Sequence, residues 1–390
     1  MIYTVTLNPA LDYVMRLPQL RQGEVNRAHS EEIQLGGKGI NVSRVLSELG
    51  EASTALGFIA GFTGDALQQG LRAMGLHTDF VRLKRGATRI NVKLKAQGET
   101  DINATGPAVD ETALAALLQK LDALGPGDML VLAGSVPAAV PADIYKQILA
   151  RLQPRGVPAV VDAEKELLAG ALAYRPFLVK PNHLELGEMF GQRLQSEAEI
   201  RSCAARLQAR GAQNVLVSMA GEGALLLDEH GRFHRAHAPR GTVQNSVGAG
   251  DAMVAGFLAG WQRTGSYARA LEWGIAAGSA TAFSCGLATK GQICALLNAT
   301  CRKEQPGFWR PGPCACCRQI WPLRRAQRRI MRATAPFCAR LSRKGRRRFL
   351  RWRASGIFCC GKCWLHRAAA HTAFTSSQSV RLRLWWEALG

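Results

Sequence analysis

Cysteine is scarce in the first 300 residues of this 390-residue chain, which hold three of its eleven cysteines, Cys203, Cys285 and Cys294. Three isolated cysteines provide no disulfide framework, so we expect reduced thiols and a cytoplasmic protein. The N-terminus lacks a basic segment followed by an apolar stretch, so no signal peptide is predicted. No window reaches about 18 uninterrupted apolar residues, so no membrane-spanning helix is expected.

Acidic residues are nearly absent from the C-terminal part of the chain. Residues 301–390 contain 21 lysines and arginines but only 2 acidic residues, with eight of the eleven cysteines and six of the eight tryptophans. Residues 1–300 carry 29 basic and 27 acidic residues. The net charge of +21, which alone would suggest a nucleic-acid binder, therefore belongs to the C-terminal segment. No nucleic-acid partner is expected for the rest of the chain.

The basic tail, residues 299–390, shows no sustained helical or strand periodicity. Its cysteines include the pairs Cys314 and Cys317, and Cys360 and Cys363, which could hold zinc although 42 residues separate the pairs. Aromatic residues among the arginines also allow a nucleic-acid-binding arm. We favour a third interpretation, in which the tail is translated from a shifted reading frame of GC-rich coding DNA and is irregular or disordered.

A glycine-bearing turn near residue 250 runs directly into a helix-like segment. Gly248 and Gly250 let the backbone turn sharply and let a ligand approach it closely. The free amides at a helix start, together with the helix dipole, form an anion site. Asp251 adds a carboxylate that could take a proton from a hydroxyl group attacking a phosphorus atom held there. The alternative is an ordinary helix N-terminus with an aspartate in its first turn.

Two glycine-rich segments carry a family resemblance. The sequence NSVGAGD at residues 245–251 resembles the signature of the PfkB, or ribokinase-like, sugar kinases, and GGKGINVS at residues 36–43 resembles their second signature. The segment TVTLNPALD at residues 4–12 resembles the branch of 1-phosphofructokinases and tagatose-6-phosphate kinases. The resemblance covers residues 1–298, which we therefore interpret as a PfkB-type kinase domain.

Short apolar strands alternate with amphipathic helices along this domain, which predicts an α/β fold with a parallel sheet. The resemblance implies a ribokinase-like three-layer α/β/α core with a small β-sheet lid. We expect residues 61–65 to form a loop before a helix at 66–74. Three histidines, His230, His234 and His237, have no paired carboxylate or cysteine spacing, so we interpret them as surface residues and not as a metal site.

The lid is expected from residues 12–35 and 86–105. In residues 89–95, apolar and polar side chains alternate, which fits a small antiparallel sheet packed on one side only. In the family such a sheet covers the sugar site, and the resemblance implies a homodimer through the lid. Arg89 on the inner side would then hold a phosphate already on the substrate.

The resemblance also implies the site residues. Catalysis is assigned to the base Asp251 and the turn residues Gly248, Ala249 and Gly250. Substrate binding is assigned to Asp12, Gly37, Lys38, Asn41, Arg89, Asn91 and Ser135. ATP binding is assigned to Lys180, Ser218, Gly221, Gly223, Ser246, Val247 and Ala277. Magnesium is assigned, through water, to Asn182 and Glu185.

Simpler structural roles remain open for several of these residues. Lys38 could be a solvated surface lysine, and Glu185 a first-turn glutamate favoured by the helix dipole. Gly221 and Gly223 could belong to an ordinary β-hairpin, and Ala277 to helix packing.

The function implied is transfer of the ATP γ-phosphate, with Mg²⁺, to fructose 1-phosphate, giving the 1,6-bisphosphate. Tagatose 6-phosphate kinase is the alternative within the branch, and fructose 6-phosphate is not excluded. An inactive or nucleic-acid-binding product dominated by the tail is the alternative of another class. The sequence leaves the oligomeric state open.

Overall fold

The computed structural model describes residues 1–163 and 165–301. The predictions for the tail beyond residue 301, including its cysteine pairs, lie outside the described residues. The strands are β1 (Ile2–Thr6), β2 (Ala10–Arg16), β3 (Ser30–Gly36), β4 (Ser53–Ile59), β5 (His77–Thr78), β6 (Val81–Arg82), β7 (Arg89–Lys95), β8 (Glu99–Ile102), β9 (Met129–Ala133), β10 (Ala159–Asp162), β11 (Leu178–Val179), β12 (Asn214–Ser218), β13 (Ala224–Leu227) and β14 (Phe233–Ala236).

Ten helices are longer than a single turn among these residues. They are α1 (Lys38–Leu49), α2 (Gly61–Ala73), α3 (Glu111–Leu121), α4 (Ile144–Leu152), α5 (Lys165–Ala171), α6 (His183–Met189), α7 (Glu197–Ala209), α8 (Ala249–Thr264), α9 (Tyr267–Ala282) and α10 (Lys290–Cys301). None of the described helices combines the length and apolarity needed to cross a bilayer. Helix α10 passes residue 298, where the sequence suggested that the kinase-like part ends.

The main sheet follows the order β14-β13-β12-β11-β10-β9-β1-β4-β5, with β6 pairing beside β5 on β4. The strands from β12 to β5 pair in parallel, and β13 and β14 add an antiparallel hairpin at one edge. In such a sheet the loops after the parallel strands share one edge, where ligands of open α/β folds bind. The structure confirms the predicted α/β sheet.

Alternate side chains of each central strand enter cores on opposite faces of this sheet. On β9, Leu130 and Leu132 pack in one core with side chains from α3, α4 and α7. Met129 and Val131 of the same strand pack in the other core with α1, α8 and α9. Strands buried on both faces read as continuous apolar runs, which is why MLVLA at 129–133 was recognisable. The result is the predicted three-layer arrangement.

A separate four-stranded sheet has the order β3-β2-β7-β8. It was predicted to be antiparallel, but β2 and β7 pair in parallel, because they belong to different excursions of the chain from the core. Asn91 on its polar face is buried, whereas Ile90 on its apolar face is 43% exposed. The polar face is therefore the inner one, as the sequence suggested for Arg89.

Helices α8 and α9 approach each other through glycines on both partners. A Cβ added at Gly256 would lie 2.4 Å from the Trp273 carbonyl oxygen, and one at Gly278 would lie 3.1 Å from the Ala249 carbonyl oxygen. Any side chain at Gly256 would push the two helices apart.

The predicted loop at 61–65 is helical, so that prediction was wrong. Helix α2 begins at Gly61, directly after β4. Tertiary hydrogen bonds hold its first turn: the Thr88 hydroxyl accepts from the Ala60 amide at 2.9 Å, and the Thr63 hydroxyl donates to the Thr88 carbonyl at 2.7 Å. Contacts with a residue so distant in sequence override the local preference of glycine for loops.

The histidine prediction was also wrong in part. His234 Nε2 lies 2.7 Å from Oδ2 of Asp228, a buried carboxylate that follows β13. His234 pairs with Leu226 across the hairpin, two residues before Asp228, and Asp228 Oδ1 also accepts from the amides of His230 and Arg232 at 2.9 Å. This carboxylate thus stabilises the turn. No metal-binding cluster of three or more ligand side chains occurs among the described residues.

Candidate active site

The turn before α8 is built for close approach to its backbone. Gly248 has φ 79°, and a Cβ there would lie 2.7 Å from a methyl group of Leu287. The Asn245 side chain shapes the loop, since its Oδ1 accepts from the Val247 amide at 3.2 Å. Ser246 and Val247 are exposed, so the loop faces solvent while α8 itself is buried.

Asp251 occupies the first turn of α8 and is 6% exposed. Ala249 and Gly250 precede it as the first helical residues, and the Ala249 amide turns back to the Ser246 carbonyl at 3.2 Å. The remaining amides of this end provide the anion-binding character of a helix N-terminus. The carboxylate thus lies at the start of the helix, in the position that the sequence predicted for it.

Helix α1 supplies the second glycine-rich element. Gly37 caps it with φ 131°, and a Cβ at Gly39 would lie 2.6 Å from the Thr6 hydroxyl oxygen, so both positions require glycine. The same hydroxyl accepts from the Ile40 amide at 3.1 Å and fixes the helix start against β1. This contact sets the direction in which the first turn of α1 presents its side chains.

The two glycine-rich elements meet through one hydrogen bond. Asn41 Nδ2 donates to Asp251 Oδ2 at 2.8 Å, although the residues are 210 positions apart. The sequence predicted both residues for one site but assigned Asn41 to the sugar. In the structure its side chain also orients the carboxylate of Asp251.

Two lysines share one buried carboxylate oxygen near this pair. Lys180 Nζ lies 3.3 Å and Lys38 Nζ 3.6 Å from Oδ1 of Asp162. A Cβ added at Gly250 would lie 3.3 Å from Lys180 Nζ, so this ammonium group reaches the start of α8. Lys38 is therefore not merely a surface lysine.

Asp162 was not among the predicted site residues. It is 3% exposed and ends β10, at the sheet edge where ligand loops gather. Its position after an apolar parallel strand was the only sequence signal, and that signal is shared with many structural aspartates.

The surroundings of Asp251 set its protonation. Burial raises its pKa first, and the negative charge of Asp162 raises it further. The hydrogen bond from Asn41 and the charges of Lys38 and Lys180 act in the opposite direction. The net effect raises the pKa of Asp251 to about 6. A carboxylate with this pKa is ionised at neutral pH and is a stronger base than an exposed aspartate.

A cavity of about 960 Å³ has Lys38 in its lining, whereas Asp251 and Asn41 are not among the lining residues. Its lining includes the predicted substrate residues Gly37, Lys38, Arg89 and Ser135. Two cationic side chains from different elements, α1 and the lid strand β7, thus face one space. The Arg89 guanidinium is partly engaged, because its Nε donates to the Asn8 carbonyl at 3.1 Å.

The other two lid residues predicted for the substrate bond to each other. Asn91 Nδ2 donates to Asp12 Oδ1 at 2.7 Å, and Asn91 Oδ1 accepts from the Ala104 amide at 3.2 Å. A Cβ at Gly36 would lie 2.4 Å from Asp12 Oδ2, so the carboxylate packs against the GGKG segment. The pair connects the lid to the start of α1.

The residues predicted to bind ATP are spread over several elements of the fold. Ser218 ends β12, and Gly221 lies in a short 3₁₀ turn (Ala220–Glu222) with open space where a side chain would be. Gly223 has φ 99° and closes the turn between the antiparallel strands β12 and β13, where its carbonyl accepts from the Met219 amide at 2.8 Å, so the hairpin alternative is observed there. Ala277 is fully buried, and its methyl group would contact any side chain at Gly256, which matches the helix-packing alternative.

The predicted magnesium residues form a capping box at the start of α6. Asn182 Oδ1 accepts from the Leu184 and Glu185 amides, and Glu185 Oε2 accepts from the Asn182 amide at 2.8 Å. The structural alternative for Glu185 is therefore observed. The capping box engages Oε2 of Glu185, and carboxyl oxygens are the type of ligand that Mg²⁺ binds, often through water.

Comparison with known proteins decides the family. The family model described as pfkB family carbohydrate kinase matches residues 5–292. This chain belongs to the pfkB family. Like other carbohydrate kinases, this pfkB kinase is a phosphotransferase whose acceptor is a hydroxyl group.

Its relatives cover nearly the whole kinase domain. A 1-phosphofructokinase of Bacillus subtilis is 45% identical to it over 297 residues, which are 76% of this chain and 97% of that protein. A D-tagatose-1-phosphate kinase of Bacillus licheniformis is 39% identical over 288 residues, 74% of this chain and 94% of that protein.

The fold is shared with phosphofructokinase-2 of Escherichia coli. Its structure in complex with substrates and products matches with a TM-score of 0.73 and 29% identity, covering 76% of this chain and 98% of that one. A tetrameric inhibited form of the same enzyme matches with a TM-score of 0.72, with 29% identity and coverages of 77% and 99%. The fold expected from the two glycine-rich signatures is therefore confirmed.

Proposed function

We propose that this pfkB kinase transfers the γ-phosphate of ATP to fructose 1-phosphate and forms fructose 1,6-bisphosphate. The observation that carries the proposal is the buried Asp251 carboxylate, which Asn41 orients at a helix N-terminus and whose pKa is raised to about 6. The cavity that Lys38 and Arg89 line can hold a sugar that is already phosphorylated.

In this mechanism Asp251 accepts the proton of the attacking hydroxyl group. The amides of Gly248 and Gly250 stabilise negative charge on the transferred phosphoryl group, so positioning and electrostatics supply most of the catalysis. Lys38 and Arg89 bind the phosphate of the sugar, while Asp12, Asn91 and Asn41 orient its hydroxyl groups. Lys180, which reaches the start of α8, binds a phosphate of the nucleotide.

Magnesium fits this site as a partner of the nucleotide. Asn182 and Glu185 would hold it through water, because Mg²⁺ retains much of its hydration shell. When bound, it supplies positive charge to the nucleotide phosphates. Since no cluster of three protein ligands occurs among the described residues, most of its coordination would come from water and phosphate oxygens.

Coupled measurement of ADP release tests the function. The full chain should turn over fructose 1-phosphate with ATP and Mg²⁺, and an Asp251→Ala variant should lose this activity. If the variant still turns over fructose 1-phosphate, Asp251 is not the catalytic base. No turnover by folded wild-type protein with any sugar phosphate would refute the proposed function.

A second acceptor deserves the same assay because one relative is named D-tagatose-1-phosphate kinase. Tagatose 1-phosphate, tagatose 6-phosphate and fructose 6-phosphate should be compared with fructose 1-phosphate by their kcat/KM values. A preference for either tagatose ester would move the proposal to that sugar. A preference for fructose 6-phosphate would place the bound phosphate on the other end of the ketohexose.

The tail-dominated alternative is separated by truncation. A variant ending at Cys301, the last residue of α10, should keep the kinase activity of the full chain. If the protein instead acts through its basic tail, the full chain should show no kinase activity. The truncated chain should then have lost nucleic-acid binding.

We also propose a cytoplasmic homodimer that pairs through the lid. Ile33, Ile90 and Ile102 on the apolar face of the lid are 61%, 43% and 56% exposed, an unusual cluster of large apolar side chains on a surface. Cys203 and Cys285 form no disulfide bond, as in a reducing compartment. Light scattering should give a dimer mass, and Ile90→Glu should give monomers; a monomeric wild type would refute the lid interface.

A further inference from the structure

We propose that Asp162 is a positioning residue, whose carboxylate holds the ammonium group of Lys38 in place for the phosphate that the sugar already carries and the ammonium group of Lys180 in place for a phosphate of the nucleotide. The inference rests on the proposed function. It assigns a role to a residue that neither glycine-rich signature contains.

The geometry is that of a shared counter-ion. The ammonium groups of Lys180 and Lys38 lie 3.3 and 3.6 Å from the same oxygen, Oδ1 of Asp162. They approach it from different parts of the fold, because Lys38 opens α1 and Lys180 follows β11. One carboxylate therefore joins the cation of the sugar-phosphate cavity to the cation at the start of α8.

The second oxygen of Asp162 makes the arrangement unusual. Oδ2 is buried and has no hydrogen-bond partner among the described residues. An unsatisfied buried carboxylate oxygen disfavours folding, because it has lost its hydration. A purely structural aspartate would be expected to use both oxygens, as Asp228 does with His234 and the turn amides.

Without Asp162, the two ammonium groups would face each other with little compensating charge. Two ammonium groups that approach the same oxygen atom repel each other once that carboxylate is neutral, and the burial of Lys180 weakens the screening by water. At least one lysine would then move away from its phosphate or turn to Asp251, the other nearby carboxylate. In either case the spacing between the two phosphate-binding cations would change.

Asp162 also acts on the base itself. The charged groups that influence Asp251 are Asp162, Lys38 and Lys180, with a hydrogen bond from Asn41. Of these, only Asp162 and burial raise the pKa of Asp251. Loss of the Asp162 charge should therefore shift the acid limb of activity to lower pH, an effect that a merely structural residue would not produce.

The experiment compares Asp162→Asn with Asp228→Asn in the full chain. Both substitutions neutralise a buried carboxylate with little change of shape, but Asp228 lies at the β13–β14 turn, away from the lysines. Steady-state kinetics are measured from pH 5 to 9 with both substrates varied, and thermal unfolding verifies that each variant is folded. Because the sugar phosphate titrates identically in every arm, differences between variants report on the protein.

We expect Asp162→Asn to raise the KM values of both ATP and the sugar phosphate by about tenfold, the factor that a charge-assisted hydrogen bond supplies. The acid limb of kcat should move down by about one pH unit. Asp228→Asn should leave both KM values and the acid limb unchanged. As reference variants, Lys38→Met should raise mainly the KM of the sugar phosphate, and Lys180→Met mainly that of ATP.

Unchanged KM values and an unchanged acid limb in folded Asp162→Asn would overturn the proposal. Lower KM values for both substrates would also overturn it, because the carboxylate would then only repel phosphate. If wild-type protein turns over no sugar phosphate, the proposed function itself fails, which is a distinguishable result.

Discussion

Replacement of Asp251 by asparagine should abolish activity yet stabilise the fold. The environment of the carboxylate raises its pKa from 3.8 to about 6, so the folded protein holds this proton more tightly than the unfolded chain does. Stability therefore rises as pH falls through about 6, and the ionised carboxylate disfavours folding above it. At about 1.4 kcal/mol per pKa unit, the ionised group destabilises the folded state by about 3 kcal/mol at pH 8.

The Asp251→Asn variant removes this penalty and keeps an oxygen that can accept the hydrogen bond from Asn41. The free energies of unfolding in urea should therefore differ by about 3 kcal/mol at pH 8, in favour of the variant, but by only about 1 kcal/mol at pH 4.5. Other titrating groups are common to both proteins and cancel in the difference. A variant that is less stable at pH 8, or a difference that does not change with pH, would refute this reasoning.

Asp228→Asn provides a control whose effect on the free energy of unfolding should have the opposite sign. Burial opposes ionisation there, but hydrogen bonds from His234 and from the amides of Arg232 and His230 lower the pKa of Asp228 overall. Its contribution to stability is therefore present above the ordinary aspartate pKa and is lost as pH falls below it. Asp228→Asn should destabilise the protein near neutral pH, and this loss should diminish in acid.

Three further substitutions test the site. Asn41→Ala removes a hydrogen bond that favours the ionised base, so the acid limb of kcat should rise from about pH 6 by about one unit, and the loss of kcat near pH 6 should be about five times the loss near pH 8.5, where only its positioning contacts are missing; equal losses at every pH would contradict this. Arg89→Lys should raise the KM of the sugar phosphate about tenfold and leave the KM of ATP unchanged, as steady-state kinetics will show, because a lysine cannot reproduce the planar fork. Gly39→Ala should lower the free energy of unfolding by about 1–3 kcal/mol, since its Cβ would lie 2.6 Å from the Thr6 hydroxyl oxygen; unchanged urea unfolding would contradict that contact.

The sequence predicted the parts of the site that local backbone chemistry requires. The turns at Gly37 and Gly248 have positive φ angles, which only glycine adopts at low cost, so both are recognisable as short patterns. Apolar strands buried on both faces were equally clear, and the parallel sheet followed from them. The meeting of Asn41 and Asp251 followed from the family resemblance, which places both signatures in one site.

Contacts between distant residues could not be predicted in this way. Asp162 and Lys180 each follow an ordinary apolar strand, and only the adjacency of β10 and β11 brings them within 3.3 Å. The pairing of His234 with Asp228 likewise depends on the register of the β13–β14 hairpin. Such pairs leave no periodic signal, because each partner alone resembles a solvated polar residue.

The glycine contacts between α8 and α9 have a consequence for the precision of the site. Helix α8 carries Asp251 in its first turn, so a small tilt of the helix axis would displace the carboxylate. The close contacts at Gly256 and Gly278 leave little room for such a tilt, since a Cβ at Gly256 would already lie 2.4 Å from the Trp273 carbonyl oxygen. Because a displacement of about 1 Å at a reacting group can reduce a rate about a hundredfold, catalytic accuracy depends on glycines of the helix contact, one of which lies five residues from Asp251.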